Sequence, residues 1–146
     1  MLAPVVLAAL VAAATLPAGA AGQALVVDLN GAATAGRNFQ TVFVEDSLSV
    51  RIGHPALTIT GPAGSTVTRL SVALTVDGNV PQAIEEGLVA ETSTTGLSQH
   101  YDTQTGVLVI TGAGTIDAYA ETLSTLRYFN FVDEPGKGET KKLLKP

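Results

Sequence analysis

The feature that most constrains the fold is a change of hydrophobic period between residues 101 and 135. Leu108 and Ile110 alternate with less apolar positions, as in a half-buried strand. Apolar residues then recur at spacings of three and four, as on one face of a helix: Ile116, Tyr119, Ala120 and Leu123. After Leu123 the period returns to two, which places Leu126, Tyr128 and Asn130 on one face of a strand and Arg127 and Phe129 on the other. The sequence therefore predicts a strand, a short helix and a second strand.

The predicted helix also has a start signal. Thr115 is a suitable N-cap residue, and Asp117 lies in the first turn, where the helix dipole favours a negative charge. A helix of so few turns is marginally stable alone. We therefore expect its apolar face to cover the open end of a sheet.

Most of the remaining chain has the pattern of short strands. The clearest is Thr66 to Val76, where Leu70, Val72 and Leu74 alternate with outward positions that include Ser71. Weaker candidates occur at residues 25–29, 39–44, 48–52, 57–59 and 97–101, and residues 84–95 are ambiguous. No pattern is long enough for βαβ crossover helices. The prediction is an all-β fold: a Greek-key β-sandwich of about seven short strands, with one short helix near residues 115–124.

The N-terminal segment resembles an export signal. Leu2 to Leu16 is almost entirely apolar or small, and Ala18-Gly19-Ala20 offers a cleavage site for signal peptidase. We predict a signal peptide over residues 1–20, with Gly22 or Ala24 as other possible ends, and a secreted or cell-surface location. An uncleaved anchor and a misassigned start are the alternatives, because no lysine or arginine precedes the apolar run.

Charge and cysteine content exclude several classes of protein. The formal net charge is -5, and up to Gly136 four arginines stand against twelve acids. Such a surface repels nucleic-acid phosphates. All four lysines lie within residues 137–146, predicted as a basic, disordered tail. With no cysteine, stability has to come from the core, bound ions or neighbouring domains.

The stretch from residue 101 to residue 135 also carries a family resemblance. Its order of spaced residues is similar to the C-terminal half of a cadherin-like extracellular repeat, and residues 25–88 fit more loosely. The matching positions are Tyr101, Gly106, Leu108, Ile110, Gly112, Asp117, Tyr119, Leu123, Leu126, Tyr128, Asn130, Asp133 and Pro135. The resemblance implies a cadherin-like β-sandwich repeat over residues 25–136.

The resemblance implies a non-catalytic adhesion or spacer module of the cell surface. Its partners would be neighbouring repeats or other cell-surface proteins. The chain departs from the pattern after Gly136, where the final apolar strand of such a repeat is missing. Either the sequence is a fragment, or its C-terminus is aberrant, or the last strand comes from elsewhere. We therefore predict that the isolated chain is marginally stable, self-associates or accepts a strand from a partner.

Calcium is the cofactor that the resemblance implies. Four acids at predicted strand ends or turns are the candidate ligands: Glu45, Asp77, Glu86 and Asp133. Against this, no D-x-[DN]-x-[DN]-G loop is present, and Gly61 and Pro62 replace an acidic pair carried by many relatives. Solvated turn residues are the alternative interpretation.

The sequence contains no recognisable set of catalytic residues, and no enzyme is predicted. There is no G-x-S-x-G motif, and Gly112-Ala113-Gly114 opens no long helix. His54 and His100 fit ordinary surface histidines. The other function considered is a carbohydrate- or matrix-binding sandwich, which needs the three tyrosines exposed as a stacking platform. Their periodicity favours core packing instead.

Overall fold

A computed structural model describes residues 5–15, 25–31, 35–43, 49–76 and 86–130. These residues form an all-β, sandwich-like fold with one short helix, as predicted from the sequence. The strands are β1 Val5–Thr15, β2 Val26–Asp28, β3 Phe39–Phe43, β4 Ser49–Arg51, β5 Thr58–Thr60, β6 Thr66–Val76, β7 Glu86–Val89, β8 Ser98–Asp102, β9 Val107–Thr115 and β10 Arg127–Asn130. The helix α1 is Ile116–Ser124.

Three antiparallel sheets contain these strands. The largest has the order β3-β1-β6-β9-β8, the second has the order β4-β10-β7, and β2 pairs with β5. Ten strands in the described residues exceed the predicted number of about seven. The difference comes mainly from β1, which no strand was predicted to occupy, and from β7, which lies in the stretch 84–95 that the sequence left ambiguous. Greek-key connections remain a prediction.

The core follows the period-two pattern of the sequence. Leu70 and Val72 of β6 and Leu108 and Ile110 of β9 are all 0% exposed. Arg69 is exposed, as the alternation predicts. Ser71 is an exception, because it was predicted to face outward but is only 6% exposed. The outer face of β6 is therefore covered at this position.

The helix α1 closes one end of the structure. The Thr115 hydroxyl accepts a hydrogen bond from the Ala118 N–H at 3.1 Å, which confirms the predicted N-cap. Tyr119 and Leu123 are 0% exposed, and α1 packs against β5, β6 and β9. The Tyr119 hydroxyl donates to the Gly112 carbonyl at 2.7 Å, so its polar end is satisfied in the interior. The stripe at spacings of three and four is thus a core surface.

The predicted leader contains a strand. β1 is the second strand of the five-stranded sheet, between the edge strand β3 and β6, and it pairs antiparallel with both. A short apolar run is compatible with a buried strand as well as with the apolar core of a signal peptide. Removal of residues 1–20 remains a prediction.

Candidate functional site

The end of the fold opposite α1 brings together several segment boundaries, which we call the open rim. In the small sheet, Ser49 lies opposite Phe129 and Glu86 lies opposite Asn130. In the large sheet, Phe43 lies opposite Val5 and Val76 lies opposite Leu7, so β3 and β6 end at the same level. The Phe43 and Tyr128 rings meet edge to face, 5.0 Å apart, and join the two sheets there.

A buried polar cluster lies just inside the open rim. Glu86 is 1% exposed, Tyr128 is 0% exposed and Asn130 is 8% exposed. The Tyr128 hydroxyl donates to Glu86 Oε2 at 2.7 Å, and Asn130 Nδ2 donates to the same oxygen at 3.1 Å. Asn130 Nδ2 also donates a hydrogen bond to the Tyr128 hydroxyl oxygen at 2.9 Å. The carboxylate is therefore held by two strands in a fixed position.

A second tyrosine borders this cluster. Burial raises the pKa of Tyr101, and the nearby charges of Glu86 and Asp102 raise it further. The Tyr101 hydroxyl is buried and has no hydrogen-bond partner within the described part of the chain. Its ring rests on Gly87, where a Cβ atom would come within 2.6 Å of Tyr101 Cε1. Glycine at this position therefore permits the close approach of the ring to β7.

The electrostatics of the cluster favour neutral phenols. Burial raises the pKa of Tyr128 most strongly, followed by its hydrogen bond to Glu86 and the charge of that group. Both tyrosines thus remain hydrogen-bond donors or neutral groups at physiological pH, and neither is poised as a phenolate nucleophile. The arrangement can orient a carboxylate and stabilise the pairing of β7 with β10.

One of the four predicted calcium ligands, Glu86, lies within the part of the chain that the structure describes. Glu86 is placed in the buried cluster. Glu45, Asp77 and Asp133 lie outside the described residues. The segments that carry them are bordered by Phe43 and Ser49, by Val76 and Glu86, and by Asn130. All these bordering residues lie at the open rim, the end of the fold that contains Glu86.

The histidines occupy separate structural positions. His54 follows β4, and its Nδ1 accepts a hydrogen bond from the Ala56 N–H at 3.0 Å. His100 is exposed on β8, opposite Val109. Among the described residues, no group of three or more His, Cys, Asp or Glu side chains is arranged to hold a metal ion. Nor does this part of the chain contain a helix with the length and hydropathy needed to cross a membrane.

The comparisons with known proteins assign no relatives. No protein-family model matches the chain, and no curated protein or solved structure matches it either.

The polar cluster itself was not predicted from the sequence. The alternation of Tyr128 and Asn130 indicated that both face the same way, but their acidic partner is 42 and 44 residues away along the chain. Glu86 lay in a stretch without a clear period. The signal that could have found the cluster is the coincidence of polar residues at positions that the period assigns to the core, because such groups need partners.

Alkaline titration gives a direct test of tyrosine burial. The chain has three tyrosines and no tryptophan, so absorbance of the phenolate reports on Tyr101, Tyr119 and Tyr128 alone. All three pKa values are raised above their usual 10.0, that of Tyr119 by burial. The unfolded chain therefore releases its phenolic protons first, and the free energy of unfolding falls as pH rises above about 10. We expect phenolate absorbance to increase only together with loss of the far-ultraviolet circular dichroism signal.

The matched control is the same titration in urea, where all three phenols should ionise near 10. Reversible ionisation of three phenols near that pH in the folded protein would contradict the buried arrangement.

Proposed function

We propose that this chain is an extracellular, non-catalytic interaction module of the cadherin-like kind, acting as an adhesive or spacer unit whose open rim binds Ca²⁺. The observation that carries the proposal is the position of Glu86. It is a fixed carboxylate at the end of the fold where the segments bearing Glu45, Asp77 and Asp133 begin or end. The other end is closed by α1, so the two ends of the sandwich differ in chemistry.

The open rim has the type of ligand chemistry that calcium uses. Ca²⁺ takes six to eight oxygen ligands, several of them carboxylates converging on one place. The side chains of Glu86 and Asn130 lie opposite each other on neighbouring strands, and both carry oxygen ligands. The adjoining segments add further acidic residues in the sequence. A cation at this position would link neighbouring strands and stiffen one end of the module.

The burial of the tyrosines counts against the carbohydrate-binding alternative. A stacking platform needs aromatic faces in contact with solvent. Tyr119 and Tyr128 are 0% exposed, and Tyr101 is half-buried against Gly87. These rings are part of the interior packing, so the adhesive or spacer role is the one we propose.

A melting experiment in two cations tests the calcium site. We expect the melting temperature to rise with Ca²⁺ and to change little with Mg²⁺, which prefers a smaller octahedral site. At a calcium concentration about 100 times Kd, the stabilisation would be about 2.7 kcal/mol. Asp133→Asn should reduce the calcium response, and Glu121→Gln, on the exposed side of α1, should leave it unchanged. Equal melting temperatures in Ca²⁺, Mg²⁺ and chelator would contradict the site.

A further inference from the structure

The strand β1 occupies a position between two other strands of the same sheet. Val5 to Ala9 lie opposite Phe43 to Phe39, and Leu7 to Thr15 lie opposite Val76 to Arg69, with one register shift between Val11 and Ala13. β1 is antiparallel to both neighbours, so β3 and β6 run parallel to each other. We call the space between them the β3–β6 slot. Without β1, β6 would keep its pairing with β9 and present one unpaired edge to the slot, and β3 would have no strand partner left in the described sheet.

The walls of the slot have a defined chemistry. On β6, Leu70 and Val72 are 0% exposed and Leu74 is 1% exposed; on β3, Phe43 is 2% exposed. Arg69 is the single charged residue of the two strands, and Thr15 lies opposite it in the register. β1 itself is eleven residues long and uncharged. The slot therefore suits an extended apolar segment that pairs antiparallel on both sides.

We propose that the β3–β6 slot is a strand-acceptor site, which residues 5–15 fill before processing and an apolar strand of another polypeptide fills after residues 1–20 are removed. The inference rests on removal of the predicted leader and is independent of calcium binding at the open rim. A second processed copy of this chain has lost the same strand and cannot supply it. The occupant is therefore a different polypeptide that adds a strand to the sheet.

The register defines what the incoming strand should contain. It needs about eleven extended residues, uncharged where they lie opposite Leu70 to Leu74. At the position of Thr15 it should have a hydroxyl or an acidic residue, because this position lies opposite the exposed Arg69. Register would be fixed by these requirements, since a slip of one residue exchanges the two faces of a strand.

Peptide exchange in the nicked full chain tests this proposal. A site for a specific protease is inserted between Ala20 and Ala21, and the folded chain is cleaved there. A fluorescent peptide of residues 1–20, with a lysine tail before Met1 for solubility, is then added. We expect it to bind at one peptide per chain, as measured by anisotropy. Leu7→Lys with Val11→Lys in the peptide should weaken binding by about 100-fold or more, since the register pairs both positions with valines of β6, Val76 and Val72.

Position 15 provides a matched pair of peptides. Thr15→Asp should bind at least as tightly as the original peptide, and Thr15→Lys should bind about three- to tenfold more weakly, because of Arg69. Equal affinities of the aspartate and lysine peptides would overturn the register on which the proposal depends. Failure of the unmodified peptide to bind, with an unchanged melting temperature after loss of residues 1–20, would overturn the acceptor site itself.

Two further outcomes are also decisive. Dimers formed after loss of the leader, detected by light scattering, would mean that a second copy fills the slot and would contradict the proposed partner. If the nicked chain loses its structure when the leader dissociates, refolding from urea is compared with and without the peptide. Recovery of the native circular dichroism spectrum only with the peptide supports the acceptor site, and equal recovery overturns it.

Discussion

Leu123→Ala is expected to lower the free energy of unfolding by about 2–5 kcal/mol. Leu123 is 0% exposed on the face of α1 that packs against β5, β6 and β9. Truncation to alanine removes apolar contacts and leaves a cavity that a helix joined directly to β9 cannot easily close. Urea unfolding followed by circular dichroism measures the loss, provided that the slope of the transition is unchanged.

Two other variants of α1 separate packing from helix propensity. Leu123→Met keeps nearly the same volume and should lose less than about 1.5 kcal/mol. Glu121→Ala changes an exposed position of the same helix turn and should lose less than about 1 kcal/mol, because it removes only the solvent-exposed hydrogen bond from Thr94 Oγ1 to Glu121 Oε1. A loss below about 1 kcal/mol for Leu123→Ala would mean that α1 contributes little to the core.

The segment around α1 was predictable because its signals are local. The Thr115 cap, the stripe of Tyr119 and Leu123, and the alternation of Tyr128 with Arg127 each involve residues close together in the chain. In each case the residue type, the period and the burial agree, which is the condition under which pattern alone determines local structure. Leu126 and Tyr128 are 0% exposed, as the alternation predicts.

The features that the sequence did not predict depend on pairing between distant segments. The apolar run from Val5 to Thr15 has no alternation that distinguishes a strand from a leader, so its place between β3 and β6 could not be derived. Likewise, the carboxylate of Glu86 acquires its partners only when β7 pairs with β10. Calcium ligation by Glu86 was predicted from its place at a strand end, whereas its burial with Tyr128 required the register.

Strand β6 runs from one end of the sandwich to the other. Thr66, its first residue, pairs with Thr115 at the N-terminus of α1, and Val76, its last residue, lies at the open rim. Eleven residues of strand separate the two ends by about 35 Å. Changes to the helix and changes to the rim should therefore be energetically independent, because distant sites usually contribute additively.

A double-mutant cycle on Glu86 and Tyr128 is expected to give a coupling energy of about 1.5–3 kcal/mol, the range for hydrogen bonds to charged groups. The single variants are Glu86→Gln, which keeps the volume, and Tyr128→Phe, which keeps the ring against Phe43. Tyr128→Phe removes the donor of the 2.7 Å hydrogen bond from the Tyr128 hydroxyl to Glu86 Oε2, and Glu86→Gln replaces its charged acceptor with a neutral amide. The double variant should therefore be more stable than the sum of the single losses indicates.

The control for this cycle is Tyr119→Phe, which removes a bond of the same length to the neutral carbonyl of Gly112. We expect a smaller loss there, about 0.5–1.5 kcal/mol, because the acceptor carries no charge. A coupling energy near zero would show that Glu86 and Tyr128 contribute separately. In that case apolar contacts alone would fix the register that pairs Glu86 with Asn130. A slip of one residue would move Glu86 to the other face of β7.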